Sequence, residues 1–229
     1  MTAASFPAAP AGTTITVHPL TVRITHWVNA LAIFIMIGSG WRIWNSSPIF
    51  DYYFPLSVTV GGDPAASQDL HNETGLASAL QWHFAAMWLL VINGIIYFSY
   101  GLLSGHFRHA LFPVTPRAVL RDAFAALRFR LPHHLGVYNA VQKTLYLGVL
   151  AVGVIMVLSG LAIWKPGQFQ ELAFLFGDFD TARLVHFLGM SAIVLFLLVH
   201  ISLVIIVPRT LPTMFTGRAR VHGDDMHAA

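Results

Sequence analysis

Four long apolar runs constrain this chain more than any other feature of its sequence. A helix that crosses a hydrocarbon core of about 30 Å needs roughly 20 predominantly apolar residues. Four stretches reach that length, approximately Ile24–Trp44, Leu80–Leu103, Thr144–Trp164 and Val185–Val207. Lipid offers no hydrogen-bond partner to a free backbone group, and each run is much longer than a barrel strand of about 10 residues. The sequence therefore predicts an all-α integral membrane bundle of four helices.

The composition supports this class and excludes several kinds of cofactor attachment. Charged residues make up only 10% of the chain, against about 25% in soluble domains. The chain has no cysteine, which excludes disulfides, thiolate-held iron–sulfur clusters and covalent c-type haem. Residues 1–20 lack Lys and Arg, so we interpret them as a flexible tail rather than a signal peptide. Residues 21–217 form the predicted membrane domain and 218–229 a second tail, with no internal repeat or nucleic-acid motif.

The Lys and Arg residues are distributed unevenly between the two sides of the predicted bundle. Ten lie on the side of both termini and of the loop between spans two and three, and three lie on the other side, namely Arg42, Lys165 and Arg183. Because cytoplasmic loops carry an excess of basic residues, we expect both termini in the cytoplasm and a multi-pass protein of a bacterial inner membrane. Residues 116–131 fit a short interfacial helix, but we interpret them as a solvated basic loop.

Ionisable residues within the spans are rare and mark functional sites. Four of the twelve histidines fall within or at the ends of spans: His26, His83, His186 and His200. His186 and His200 are 14 positions apart on span four, which places them roughly 40° apart around the helix and about 21 Å apart along it. The other eight are assigned to solvated loops and tails, and they are His18, His71, His106, His109, His133, His134, His222 and His227.

The alternating direction of the spans gives each histidine of span four a partner at the same depth. Span one runs outward, so His26 is level with His200, and span two runs inward, so His83 is level with His186. Two bis-histidine haem sites follow, one near each membrane surface. One histidine on an apolar helix is more often a hydrogen-bonded core residue, and zinc would need further ligands or a tighter cluster. Small residues would leave room for haem, although they also permit close helix packing. They are Gly38, Gly40, Gly94, Gly153, Gly160 and Gly189.

Several motifs in order resemble a known family. Arg23–Trp27 (Arg-Ile-Thr-His-Trp) looks like the opening of the bacterial cytochrome b561-type subunits that serve formate dehydrogenase, hydrogenase and thiosulfate reductase. Tyr138–Lys143 and Gly160–Pro166 are similar to span three of the formate dehydrogenase gamma subunit. His186 and His200 match the two histidines on its last span. The resemblance covers about residues 18–217. It implies two haem b groups. The outer haem would be held by His83 and His186, and the inner haem by His26 and His200.

The resemblance also implies a quinone as substrate, bound beside the inner haem. The corresponding residues here are Asn139, Gln142 and Lys143. An amide can bond a quinone carbonyl, and a cation can stabilise a reduced quinone. The alternative is an ordinary polar helix N-terminus. Arg42 and Arg183 are candidates for pairing with haem propionates, with snorkelling to the membrane surface as the alternative.

The closest resemblance within the family suggests the partner. Gly40–Trp44, Trp82–Trp88 and Val207–Leu211 look most like the subgroup that accompanies periplasmic molybdopterin oxidoreductases of the sulfite-oxidase-like type. We therefore expect an electron-transfer subunit between the quinone pool and such an oxidoreductase or another redox subunit. The first outer loop is longer than in the gamma subunit, so the outer partner could differ. The alternatives are a freestanding quinone-linked superoxide oxidase-type cytochrome, and a transporter or anchor whose histidines bind metal or protons.

Overall fold

Four long helices make up most of the structure, a computed structural model that describes residues 13–61, 74–128, 138–208 and 211–220. They are α1 (Leu20–Ser46), α2 (Thr74–Leu103), α5 (Ala140–Trp164) and α7 (Phe179–Ile206). All four are long and apolar enough to cross a membrane. The predicted all-α four-helix membrane bundle is confirmed. The cytoplasmic placement of the termini remains a prediction.

The four helices begin four to six residues before the predicted spans and end within two residues of them. Hydropathy detects only the part of a helix that lies in hydrocarbon, whereas the first turns contain polar residues. In α2, for example, the added residues run from Thr74 to Ala79. The predicted spans are therefore the apolar centres of longer helices.

Small residues lie between the helices, and large apolar residues face outwards. Ala32, Ala79, Ala162 and Ala182 are completely buried, whereas Leu103 is 89% exposed. Lipid chains solvate leucine as well as another helix does, so association relies on close backbone packing rather than on a core of large side chains. The exposed apolar surface is the lipid-facing surface of the bundle.

The loop that follows α1 folds back onto the end of that helix. The Asn45 side chain donates to the carbonyl oxygen of Phe54 at 2.8 Å and accepts from its N–H at 2.9 Å. The Trp44 indole donates to the Tyr52 carbonyl at 2.8 Å, and Trp41 stacks on Phe54 with ring centres 4.8 Å apart. These bonds fix the beginning of the long first loop.

The chain divides into two units. The histidine unit contains Ile24–Ser99 and Val152–Leu195, and the terminal unit contains Met1–Arg23, Tyr100–Ala151 and Phe196–Ala229. In the terminal unit, β1 (Thr14–Thr16) pairs with β2 (Arg218–Arg220) in an antiparallel sheet. The two strands lie in the predicted tails, so each of these stretches contains a segment of regular structure.

Three short helices lie between the long ones and a fourth follows the last of them. They are α3 (His106–Ala110), α4 (Pro116–Leu127), α6 (Gln170–Leu175) and α8 (Leu211–Thr216), with a 3-10 turn at Leu56–Val58. The interpretation of residues 116–131 as a solvated loop is wrong for α4, while residues 129–137 lie outside the described residues. The Asp122 carboxylate, 8% exposed, accepts the Ala140 N–H at 2.9 Å. This bond secures α4 to the first turn of α5.

Candidate haem site

His83 of α2 and His186 of α7 face each other in the histidine unit. Their ring centres are 6.4 Å apart, and the planes of the rings cross at 61°. Both side chains are half-buried. The structure thus brings together the two histidines that were assigned to the outer haem.

Each of these imidazoles contacts a buried serine on another helix. The Ser39 hydroxyl lies 3.0 Å from Nδ1 of His83, and the Ser159 hydroxyl lies 2.9 Å from Nδ1 of His186. Both serines have 0% exposure. A polar group buried in this way requires hydrogen-bond partners, and each serine has one in the histidine that it faces.

Backbone carbonyls determine the direction of these hydrogen bonds. Ser39 Oγ lies 2.7 Å from the Ile35 carbonyl oxygen, and Ser159 Oγ lies 2.7 Å from that of Ile155. A carbonyl can only accept, so the single hydroxyl hydrogen points to it and Oγ accepts from Nδ1–H of the histidine. The proton on Nδ1 leaves Nε2 as the ring nitrogen with a free lone pair, which is the form that binds a metal.

Two glycines lie against the same imidazoles. A Cβ at Gly40 would be 3.7 Å from Cε1 of His83, and a Cβ at Gly160 would be 3.3 Å from Cε1 of His186. The second distance is too short for ordinary contact, so only glycine leaves the His186 ring undisturbed. Four other glycines were expected to leave room for haem. A Cβ at Gly38 or Gly189 would meet a neighbouring side chain, whereas a Cβ at Gly94 or Gly153 would have nothing within 4 Å.

The two serine–histidine pairs belong to an internal repeat, which corrects the expectation that the chain has none. Residues 35–44 (IMIGSGWRIW) and 155–164 (IMVLSGLAIW) are identical at six of ten positions. Residues 79–91 and 182–194 share Ala, His, Phe, Met and Val at five equivalent positions. Comparing the first two spans with the last two would have found this signal, which is short and lies in apolar surroundings.

Aromatic contacts follow the same repeat. Trp44 stacks on Phe187 with ring centres 4.3 Å apart, and Trp164 lies 5.0 Å from Phe84. Each tryptophan therefore packs on the residue that follows the histidine of the other half. Together with the serine contacts, these pairs link all four long helices around the two imidazoles.

The geometry and the donor set of this pair fit haem. A metal–imidazole bond is about 2 Å long and the ring centre lies about 1 Å further, so two imidazoles on opposite sides of a metal have centres roughly 6 Å apart. The observed 6.4 Å agrees with this distance. In the described part of the chain, no three His, Cys, Asp or Glu side chains group to hold a metal ion. A metal between these histidines would take its other ligands from a macrocycle, as iron does in haem.

Buried donors suited to an anion lie near the end of α1. The Arg42 side chain is only 5% exposed, and a buried guanidinium needs a negative partner or several acceptors. The adjacent indole N–H of Trp41, which sequence reasoning missed, is buried without an acceptor among the described residues. Arg183 donates to the Ser47 carbonyl and lies 3.6 Å from Asp180, so part of its guanidinium is already engaged.

The two remaining candidate ligands lie in different units. His26, on α1 in the histidine unit, makes an edge contact with Trp27 at 5.3 Å between ring centres. His200, on α7 in the terminal unit, stacks on Phe196 at 5.7 Å. Both are half-buried, and their pairing stays a prediction.

A buried amide next to the first turns of α1 was not anticipated. Asn93 of α2, 5% exposed, donates to the Thr25 carbonyl at 2.8 Å and to the Asn29 side chain at 2.7 Å. An asparagine in an apolar span is itself a signal, because such residues are costly unless they are bonded. It joins α1 and α2 one residue from His26.

The three residues assigned to quinone lie at the first turn of α5. The Gln142 N–H donates to the Asn139 side-chain oxygen at 2.9 Å, and the Asn139 N–H donates to the Gln142 side-chain oxygen at 3.1 Å. This reciprocal pair is a capping box, which satisfies backbone N–H groups at a helix start. Among the described residues the amide NH₂ groups have no acceptor and remain as donors, and Lys143 is half-buried beside them.

Two histidines assigned to solvated segments are half-buried in the terminal unit, so that assignment is wrong for both. Burial, with the nearby His106 and Arg23, lowers the pKa of His18. Burial also lowers the pKa of His106. The backbone around Gly217 packs closely against this region, because a Cβ there would lie 2.9 Å from the His18 carbonyl oxygen.

His109 is exposed as expected. The remaining five lie outside the described residues: His71, His133, His134, His222 and His227.

A four-helix membrane bundle with two facing imidazoles that suit haem iron defines a class, the membrane cytochromes of b type. The chain matches the prokaryotic cytochrome b561 family over residues 17–217. It belongs to that family, which confirms the resemblance drawn from the sequence. The protein is accordingly a multi-pass electron-transfer protein of the bacterial inner membrane that binds haem b.

Curated relatives extend over most of the chain. The putative protein-methionine-sulfoxide reductase subunit YedZ1 of Azospira oryzae is 45% identical over 202 residues, which cover 88% of this chain and 96% of the relative. A probable Ni/Fe-hydrogenase B-type cytochrome subunit of Cupriavidus necator is 26% identical over 203 residues, or 81% of this chain and 76% of the relative. Its counterpart in Bradyrhizobium diazoefficiens is also 26% identical, over 82% of this chain and 76% of the relative.

Proposed function

We propose that this protein is the membrane subunit of an oxidoreductase and carries electrons between the quinone pool and a periplasmic redox partner. The observation that carries the proposal is the 6.4 Å approach of His83 and His186. Serine contacts leave Nε2 of each ring available to bind iron. Haem b bound in this way supplies one-electron redox chemistry.

The chain's own residues would hold two haem groups. His83 and His186 would hold one, with Arg42 as partner for its propionates and Arg183 as a further candidate. His26 and His200 are the ligands of the other, an assignment that rests on their depth in the sequence and on the family resemblance. Histidines at two depths would bring redox centres near both membrane surfaces.

The names of the relatives support a proposal for the kind of partner. Each of those described is, by its name, a subunit of a larger enzyme, a protein-methionine-sulfoxide reductase or a Ni/Fe hydrogenase. The 45% identity to the first of these favours a partner of that kind, and the sequence resemblance favours a periplasmic molybdopterin oxidoreductase. A transporter or anchor would not require two imidazoles facing each other at haem distance.

Quinone is the proposed small-molecule substrate. The amide NH₂ groups of Asn139 and Gln142 are free of the capping bonds that engage their oxygens, so they can donate to a quinone carbonyl. Lys143 on the next position can balance negative charge on a reduced quinone.

Haem content and histidine replacement test the proposal. Purified protein should contain two b haems per chain, extractable with acidic organic solvent because no cysteine attaches them. His83→Ala and His186→Ala should remove the same spectral component, and His26→Ala and His200→Ala should remove the other. The matched control is His109→Ala, an exposed histidine whose loss should leave two haems. Purified protein without haem would contradict the proposal. So would loss of the same spectral component in His26→Ala and in His83→Ala.

A further inference from the structure

Among the described residues of the histidine unit, Ser39 and Ser159 are the two most fully enclosed polar side chains, at 0% exposure each. A serine within a span commonly satisfies itself by bonding the carbonyl four residues earlier. Ser191 of α7 does this, donating to the Phe187 carbonyl at 2.9 Å. Ser39 and Ser159 make the same backbone bond and, in addition, each meets an imidazole.

We propose that Ser39 and Ser159 are a matched pair of positioning residues, which fix the two axial imidazoles and lower the reduction potential of the haem between them. This inference rests on the proposed function of His83 and His186 as its ligands. The two serines do not touch iron. They act through the histidines.

The hydrogen-bond chain explains the direction of the effect. Each hydroxyl donates to its own backbone carbonyl, at 2.7 Å in both cases, and its oxygen therefore accepts from the imidazole Nδ1–H. An acceptor at Nδ1 raises the basicity of the ligating nitrogen on the other side of the ring. A more basic ligand favours ferric over ferrous iron, so the serines lower the potential.

The repeat shows that the arrangement is specific. The distances from serine to histidine differ by only 0.1 Å between the two halves. In each half the residue after the serine is a glycine that lies against the same imidazole. A chance contact of a back-bonded serine would not recur on two helices with the same neighbours, so the hydroxyls and the glycines together define the position of each ring.

The test is a redox titration of the purified cytochrome, followed optically, together with the electron paramagnetic resonance spectrum of the ferric haems. Ser39→Ala and Ser159→Ala should each raise the potential of the same haem. At a fixed ambient potential the ratio of oxidised to reduced haem should fall about threefold to tenfold, as expected for the loss of one hydrogen bond. The g values of that haem should also change because its imidazoles can rotate.

Ser191→Ala is the matched control, since it removes the same backbone bond without a histidine among its described partners, and it should change neither quantity. Where an alanine variant fails to assemble, Ser39→Cys or Ser159→Cys keeps the volume nearly unchanged and offers only a weak acceptor, so the potential should still rise.

Two different failures can be told apart. Unchanged potentials and g values in alanine variants that retain both haems would overturn the role of the serines. Retention of that haem in His83→Ala and His186→Ala would instead overturn the ligand assignment, and with it the proposed function of this site.

Discussion

The histidine unit and the terminal unit hold their polar groups in different ways. In the histidine unit the serine–histidine contacts occur twice, once in each half of a sequence repeat, and the serines are buried between apolar helices. In the terminal unit the contacts occur at chain ends and helix starts, where Asp122 and the Asn139–Gln142 pair cap α5. The first arrangement suits a cofactor that is bound between two equivalent ligands, such as haem.

The second arrangement suits exchange with the surroundings. The amides of Asn139 and Gln142, at the start of a membrane-length helix, keep NH₂ donors that have no partner among the described residues. A diffusible molecule needs such an accessible site, whereas a resident cofactor needs fixed ligands. The comparison predicts that substitutions in the histidine unit alter haem properties and that those in the terminal unit alter stability or quinone reaction.

Gly61→Ala should produce the largest effect. The residue has φ of +84°, and a Cβ there would lie 2.6 Å from backbone atoms of Ala79, one turn before His83. Left-handed strain and a clash with backbone together cost about 2–5 kcal/mol, so thermal unfolding in detergent should shift down and the haem bound through His83 should be lost or altered. Gly167→Ala, with open space around it, is the control. A haem spectrum and melting temperature equal to the parent's would contradict this packing.

The next prediction tests the symmetry of the histidine unit itself. Gly160→Ala places a methyl group 3.3 Å from the His186 ring, whereas Gly40→Ala places one 3.7 Å from the His83 ring. The first should displace its imidazole and the second should not, so Gly160→Ala should lower haem retention and shift its g values. The expected cost is about 1–3 kcal/mol, as for other overpacked sites. Equal behaviour of the two variants would show that the halves are more alike than their distances indicate.

The sequence predicted what depends on the length, spacing and direction of the helices. Apolar length predicts the spans, and the spacing of His186 and His200 with the direction of each span predicts that His83 lies level with His186. Helix geometry and the alternating direction of the spans are together sufficient for both conclusions. The serine contacts depend on which helices are neighbours and how each is rotated, and a serine in a span has an ordinary explanation in its own backbone. They could not be predicted without the packing.

In the terminal unit, by contrast, a local pattern is visible in the sequence, but the sequence analysis assigned it to a different role. The pattern Asn139-x-x-Gln142 is visible in the sequence as a helix start, yet the family resemblance directed attention to quinone, and the structure shows the capping bonds. Asp122 was not singled out, because a carboxylate in a basic loop resembles a solvated residue until its partner at Ala140 is known.

Asp122→Asn should destabilise the terminal unit by about 1 kcal/mol, the typical value of a charged cap at a helix N-terminus. Burial raises the pKa of Asp122, but the Ala140 N–H and Arg121 outweigh it, and the net pKa is lowered. The stabilisation is therefore complete above the ordinary carboxyl pKa and is lost as pH falls through the lower folded value. The difference in melting temperature between parent and variant should shrink on acidification.

The control for this prediction is Arg121→Ala. The Arg121 side chain is 77% exposed although its Nε lies 3.0 Å from the Asp122 carboxylate, and exposed ion pairs contribute little. Its removal should change stability by less than about 0.5 kcal/mol. A larger loss from Arg121→Ala than from Asp122→Asn would assign the stabilisation to the ion pair instead of the helix cap.

The smallest effect on stability, and the sharpest test of the terminal unit, comes from Asn139→Asp and Gln142→Glu. Each keeps the oxygen that caps α5 and removes the NH₂ donor, and carboxylates are favourable at a helix N-terminus, so melting should stay at the parent value. Haem reduction by added quinol should slow about fivefold if a donor to quinone is lost. Gln168→Glu, the same change at an exposed residue, should have no effect. Parent rates in both capping-box variants would mean that these amides serve only the helix and that quinone binds elsewhere.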